Sequence, residues 1–431
     1  MCLDMKKWLY IFCIIPSLII AQHKISGTFS PESEFTYAFL YEATPESVNY
    51  INQAQVKPDG TFEIKLDASI KKGIYKIVYA VPPEDNNFEI FYEGNEDIEL
   101  QFDLDKGLTF TSSKSNILWS EYSEKISDIN AEISAYYTEN QQNELQLLEL
   151  FQNLKSIQNS YEKQSEGTIA HAFITSNRLY IPKTAEDVQT YSQNIIKHYF
   201  DNIDFSNRWI QSSDYITDRI VAYVFAMPSD DDYYKSAIDE TVTAIGNNQT
   251  IKLTILQELW QNMTQNDFSE VANYISDTYL LELAKQQNNE LLVETLMSFK
   301  KTAIGIKAPN FEVSEKQSLY DLNSHNNYVL IFWSSSCGHC LDELPILKSI
   351  IVEYPNYKVI AFGIEDETEN WKNVIINYPE FIHIIGLKKW DNPVVEDYGI
   401  QATPSYFVLN KDKTIMAKPY DVNALKEFLS K

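Results

Sequence analysis

A chain of 431 residues exceeds one ordinary domain, and its length suggests about three. A formal net charge of -26 excludes a nucleic-acid-binding surface, which needs clustered Lys and Arg against phosphate, and disfavours polybasic attachment to a membrane. With 44% hydrophobic residues there is ample material for buried cores, so the charge reads as a solvated acidic surface.

The N-terminus is expected to be an export signal over residues 1–21. Lys6 and Lys7 precede an almost wholly apolar run from Trp8 to Ile20, and Ala21 offers a small residue before Gln22. The run falls short of the roughly 20 apolar residues that span a bilayer, so no permanent span is expected after cleavage. Cys2 and Cys13 leave with this segment, and Cys337 and Cys340 are the cysteines that remain. An exported protein with a single closely spaced pair reads as a redox worker and not as a disulfide-stapled scaffold.

Residues 22–112 are predicted to be β-rich. Ile98, Leu100, Phe102 and Leu104 alternate with polar residues, as do Phe62, Ile64 and Leu66, which is the period of half-buried strands. Lys57-Pro58-Asp59-Gly60 has turn chemistry. Short strands at this spacing suggest a small β-sandwich. Residues 113–304 turn helical: Leu147, Leu148, Phe151, Leu154 and Ile157 recur at three- and four-residue steps, as do Ile251, Ile255, Leu259 and Met263. Aromatic residues on these faces read as core packing.

Around Gly305–Pro309 strands begin to alternate with helices, and residues 305–431 are predicted to form an α/β domain with a mixed sheet. Tyr328–Trp333 is a continuous apolar run, as in a central strand covered on both faces. A helix is expected from Cys337 to about Val352, then strands at Tyr357–Ile364 and Phe381–Ile385 around a helix near Glu367–Ile376. A hairpin of Ser405–Leu409 with Thr414–Ala417 and a closing helix at Val422–Leu429 complete the domain.

Directly after the apolar strand stands Trp333-Ser334-Ser335-Ser336-Cys337-Gly338-His339-Cys340. If a helix starts at the first Cys, residues three apart share a face with Cβ atoms about 5–6 Å apart, close enough for modest closure into a disulfide. A thiol at a helix N-terminus faces unpaired N–H groups and the positive end of the dipole, which favours its thiolate. Cys337 is therefore the expected attacking thiol and Cys340 the resolving one, with His339 as a candidate imidazolium beside Cys337. Zinc sites use the same spacing, but structural zinc wants four ligands and only His339 and His383 could supplement the pair. No metal and no cofactor are expected.

Gly305-Ile306-Lys307-Ala308-Pro309-Asn310-Phe311, the Trp333–Cys340 segment, Glu343-Leu344-Pro345 and Thr403-Pro404 together make residues 305–431 resemble the TlpA/ResA-like branch of the thioredoxin family, exported thiol–disulfide oxidoreductases. The resemblance implies that Pro404 is cis and lies beside the thiols, leaving backbone groups free to pair with an extended substrate. It implies that Trp333, Gly338 and Thr403 meet the substrate and that Glu343 moves the proton to or from the buried Cys. It further implies disulfide-bearing exported proteins and an upstream electron donor as partners. Two departures stand out. Ile331 occupies the place of the buried Asp of ordinary thioredoxins, and Ser336 that of the Trp before the first Cys, which leaves the proton path to Glu343.

The β-rich and helical regions also resemble modules that precede thioredoxin-like domains in exported proteins of the Bacteroidota, so the periplasm of a Gram-negative cell is the expected location. The Gly338-His339 filling resembles that of protein disulfide isomerases instead, which keeps an oxidase or isomerase beside the reductase reading. A peroxiredoxin would need Pro where Leu330 stands. A non-enzymatic alternative is an interaction or assembly module on residues 22–303 with an accessory redox site.

Overall fold

A computed structural model describes residues 23–45, 47–139, 143–227, 230–266 and 268–430. The expected export signal lies outside the described residues. The chain divides into two compact units: one runs up to Ala226 and includes Glu240–Lys252, the other comprises Met227–Asp239 and everything from Leu253 onward.

The first unit opens with eight strands: β1 (Lys24–Ser30), β2 (Tyr37–Ala43), β3 (Val48–Gln55), β4 (Thr61–Lys65), β5 (Gly73–Val78), β6 (Asn87–Tyr92), β7 (Ile98–Asp103) and β8 (Gly107–Phe110). They form two four-stranded sheets in the orders β4-β1-β7-β8 and β3-β2-β5-β6. Alternate residues of both sheets, among them Ile25, Phe29, Ile64 and Leu100 from one and Leu40, Tyr75, Ile77 and Ile90 from the other, share one apolar cluster. The turn before β4 is closed by Gly60 N–H donating to the Lys57 carbonyl at 2.8 Å, with Gly60 at φ 78°, a conformation that suits glycine.

Helices α1 (Lys114–Thr138), α2 (Glu144–Ser165), α3 (Ala170–Ser176), α4 (Val188–Lys197), α5 (Arg208–Gln211) and α6 (Asp214–Val224) follow. Leu147, Phe151 and Leu154 are the buried stripe of α2. Asn116 of α1 satisfies the edge of the second sheet: its side-chain oxygen accepts from Phe91 N–H at 2.8 Å and its amide donates to the Phe91 carbonyl at 2.7 Å. A side-chain amide thus stands in for the missing strand, which protects β6 from edge-to-edge pairing.

A second tie joins β6 to the start of α6. Glu89 accepts hydrogen bonds from the Ser213 hydroxyl and from Asp214 N–H at 2.9 Å, with Lys76 at 3.8 Å. Burial, reinforced by the neighbouring Asp214 carboxylate, raises the Glu89 carboxyl to about 7. A carboxyl raised in the folded state stabilises it fully below its ordinary range near pH 4.5, and that contribution fades as pH climbs through about 7. Glu89→Gln is therefore expected to gain about 1–2 kcal/mol over the parent at pH 8, a figure kept modest because the side chain retains some water contact, and nothing near pH 4. Urea unfolding of both proteins at the two pH values checks this; an equal difference at both would refute it.

Helices α7 (Asp231–Ile245), α8 (Gln249–Gln265), α9 (Ser269–Ile275), α10 (Leu281–Gln286) and α11 (Glu290–Lys301) complete the helical stretch, and the boundary between the units falls within α7 and α8. Among the described residues no helix is long and apolar enough to cross a membrane.

The second unit then builds an α/β layer from β9 (Glu312–Ser314), β10 (Gln317–Ser318), β11 (Asn327–Trp333), α12 (Gly338–Glu353), β12 (Tyr357–Glu365), α13 (Glu369–Ile375), β13 (Ile382–Leu387), α14 (Pro393–Asp397), β14 (Ser405–Asn410), β15 (Ile415–Ala417) and α15 (Val422–Leu429). The five-stranded sheet has the order β13-β12-β11-β14-β15, with β11, β12 and β13 parallel and β14 and β15 antiparallel to their neighbours. Every residue of Tyr328–Trp333 is buried, and the two faces diverge. Tyr328, Leu330 and Phe332 join a cluster with Phe311, Val395 and Tyr398; Val329, Ile331 and Trp333 join one with Leu344, Leu347 and Leu425 of α12 and α15. A strand covered on both sides has no polar face to offer, which is why its sequence is uniformly apolar.

Candidate active site

Cys337 caps α12. Its backbone is extended, at φ -92° and ψ 114°, and its Sγ accepts from Cys340 N–H at 3.3 Å, the place usually taken by a Ser or Asp side chain. The thiol donates in turn to the Thr403 carbonyl at 3.2 Å, and the Thr403–Pro404 bond is cis. The loop before β14 is thereby brought against the start of α12. Both cysteines are free thiols, Cys337 half-buried and Cys340 fully enclosed.

The two thiols are held apart in acidity. Burial works to raise Cys337, but hydrogen bonds from the Cys340 thiol, the Thr403 side chain and the N–H groups of Cys340 and His339 outweigh it and leave Cys337 below the ordinary thiol range. Burial pushes Cys340 up to about 12, aided by its hydrogen bond to Cys337. The accessible sulfur is the more readily ionised of the two, and the enclosed sulfur keeps its proton at neutral pH.

His339 is exposed, and its bond toward the Cys337 sulfur comes from the backbone N–H, so the helix terminus supplies what the sequence had suggested for the imidazole. Gly338 is exposed at the first position of the helix, and a Cβ there would meet nothing within 4 Å. Trp333 is buried within the same apolar cluster as Cys340 and Leu344, so it supports the site from inside and presents no surface to a substrate. His383 has its Nε2 against the Tyr378 carbonyl at 2.7 Å. Among the described residues no group of three His, Cys, Asp or Glu side chains is arranged to hold a metal.

Glu343, one turn beyond Cys340, accepts from the Tyr406 hydroxyl at 2.7 Å and from Val422 N–H at the start of α15 at 3.1 Å. Burial first, then the Glu343 carboxylate and the nearby Cys340, hold the Tyr406 phenol far above its ordinary range. Tyr406 therefore stays a neutral donor to Glu343.

Two participants escaped the sequence reading. Tyr406 looks there like one more residue of an apolar strand. Glu365 ends β12 and is buried, with its carboxylate accepting from Ser335 N–H at 2.5 Å and from the Ser335 hydroxyl at 2.9 Å. It fastens the loop two residues before Cys337. The available signal was an acidic residue closing an otherwise apolar strand, which has to find partners if it is buried.

The fold and the paired thiols define the C-terminal region as a thioredoxin-like domain, and residues 326–415 match a family model described as thioredoxin-like. A comparison with curated proteins finds no match. Similar solved structures include a thioredoxin-like protein from Bacteroides caccae, 21% identical, covering 58% of this chain and 96% of that one with a TM-score of 0.44. The thioredoxin domain of a thiol-disulfide oxidoreductase from Bacteroides vulgatus is 23% identical over 30% of this chain and 96% of that one, with a TM-score of 0.27. A domain from Cytophaga hutchinsonii described as a possible thiol-disulfide isomerase is 31% identical over 30% of this chain and 90% of that one, with a TM-score of 0.26.

Proposed function

We propose that this protein carries out thiol–disulfide exchange as a reductase of other exported proteins, in the periplasm after removal of residues 1–21. The observation that carries the exchange chemistry, in either direction, is the unequal pair: an accessible thiol at a helix N-terminus held below the ordinary range, three residues before an enclosed one pushed up to about 12. The Cys337 thiolate attacks one sulfur of a substrate disulfide. That S–S bond breaks, the far sulfur leaves as a thiolate, and Cys337 remains in a mixed disulfide. Cys340 then gives up its proton and attacks the Cys337 sulfur, releasing the second substrate thiolate and leaving a Cys337–Cys340 disulfide. Two electrons have passed to the substrate, and an upstream dithiol donor restores the pair.

Cys340 needs a proton acceptor for the second step. Glu343, one turn along the same helix and hydrogen-bonded by the Tyr406 hydroxyl, takes that role. The reductase direction is supported by the resemblance of the Gly305–Phe311 and Glu343–Pro345 segments to the TlpA/ResA-like branch. One observation favours an oxidase or isomerase instead: a stabilised Cys337 thiolate stabilises the reduced form, raises the potential and makes the pair a stronger oxidant.

The reduction potential, measured by equilibration in glutathione buffers with thiol trapping, decides. A reductase is expected to lie more negative than about -250 mV. A value near that of glutathione would select the oxidase or isomerase, and failure to form the disulfide would end the redox reading.

A further inference from the structure

Helix α2 and the irregular segment 178–183 that follows α3 enclose a cleft of ≈ 520 Å³. That volume falls within the roughly 300–1,000 Å³ of small-molecule sites. Leu148 and Phe151 of α2 form its apolar wall together with Leu179, Ile181 and Pro182. Phe151 and Pro182 are buried, and the other three are half-buried. All of the lining residues belong to the first unit, whereas the thiols belong to the second.

The charge of the cleft runs against that of the chain. Asp and Glu outnumber Lys and Arg by 61 to 35, yet the lining holds no carboxylate and three cations, Lys155, Arg178 and Lys183. Arg178 is already balanced, because its Nε donates to one Glu162 oxygen at 2.9 Å and its terminal nitrogen to the other. Gln158, the buried polar side chain of the lining, is satisfied too. It accepts from the Tyr122 hydroxyl at 2.7 Å and donates to the Ile174 carbonyl at 2.9 Å. Lys155 and Lys183 are exposed and form no ion pair among the described residues. Two ammonium groups thus border an apolar cleft without a counter-charge.

These groups sort the possible occupants. An apolar body gains by displacing water from the wall around Phe151, and an acidic head gains charge-assisted hydrogen bonds from the lysines. A phosphate group is best held by a free arginine fork or a helix N-terminus. Here Glu162 occupies the fork, and the first turn of α2 is not part of the lining. Two point charges suit a carboxylate. We propose that this cleft binds a small amphipathic carboxylic acid, its apolar body against Phe151, Leu179 and Ile181 and its carboxylate held by Lys155 and Lys183. The site is independent of the redox reading.

Octanoate, 1-octanol and acetate are titrated into the full chain in low-salt buffer and followed by isothermal calorimetry. Octanoate is expected to saturate one site with a Kd below about 1 mM, a concentration at which octanol and acetate do not. Each of those two lacks half of the recognised chemistry. Joint replacement Lys155→Gln and Lys183→Gln is expected to weaken octanoate about tenfold or more, whereas Lys155→Arg with Lys183→Arg keeps the charge and the binding. Equal binding of octanoate and octanol would reduce the cleft to an apolar patch and overturn the proposal. So would octanoate binding that survives the glutamine pair, since the site would lie elsewhere. Loss in the arginine pair as well, or no octanoate binding by the parent at about 10 mM, would equally refute it.

Discussion

Cys337→Ser is expected to abolish disulfide exchange, by about a thousandfold or more, whereas Cys340→Ser keeps the first step and stops at the mixed disulfide. The difference follows from the two environments. Cys337 alone combines access to solvent with hydrogen-bond donors aimed at its sulfur, so removing it removes the nucleophile. Cys340 is fully enclosed and keeps its proton up to about 12, so it cannot replace Cys337 as the attacking group. It acts only after a mixed disulfide has placed a reactive sulfur beside it. Mass spectrometry should recover a covalent adduct between Cys340→Ser and a disulfide-bearing protein, released by dithiothreitol. Alkylation of the reduced parent between pH 6 and pH 8 should label Cys337 and spare Cys340. Retained turnover in Cys337→Ser would refute the assignment.

Glu365→Ala is expected to destabilise the protein by about 1–2 kcal/mol and to slow exchange, because it strands the half-buried Ser335 N–H and frees the loop that sets Cys337 at the helix cap. Glu365 touches neither sulfur, so it acts by position. The measurement that separates this from general loss of stability is the pH dependence of Cys337 alkylation, which should move to higher pH as the sulfur drifts from the Cys340 N–H. Glu365→Gln keeps an oxygen that accepts from Ser335 and should restore most of the alkylation profile. A Glu365→Ala protein with lower stability but an unmoved profile would refute the positioning role.

The fold of the second unit follows closely from local sequence. The apolar run Tyr328–Trp333, the cap at Cys337 and the closing helix Val422–Leu429 depend on residues near one another in the chain, and periodicity and capping act over that range. Boundaries moved by a residue or two: the helix predicted near Glu367–Ile376 spans Glu369–Ile375, and the strand predicted at Phe381–Ile385 is Ile382–Leu387. The spacing of the thiols was equally legible, since one helical turn sets it.

What no local pattern contained is the set of partners around that pair. Cys337 meets Thr403 across 66 residues, Tyr406 meets Glu343 across 63 and Ser335 meets Glu365 across 30. Each contact exists because the sheet places β14 and β12 on either side of β11, with the thiols at the carboxyl end of the central strand. The imidazole of His339 looked like the natural neighbour of Cys337 in the sequence, yet the helix turns it to solvent and leaves its N–H in that place. The sequence by itself determined which atoms can react and on which element they sit. Only the tertiary structure decided how each sulfur is solvated and paired, because acidity follows burial and hydrogen bonding, and those are set by strand order and not by spacing.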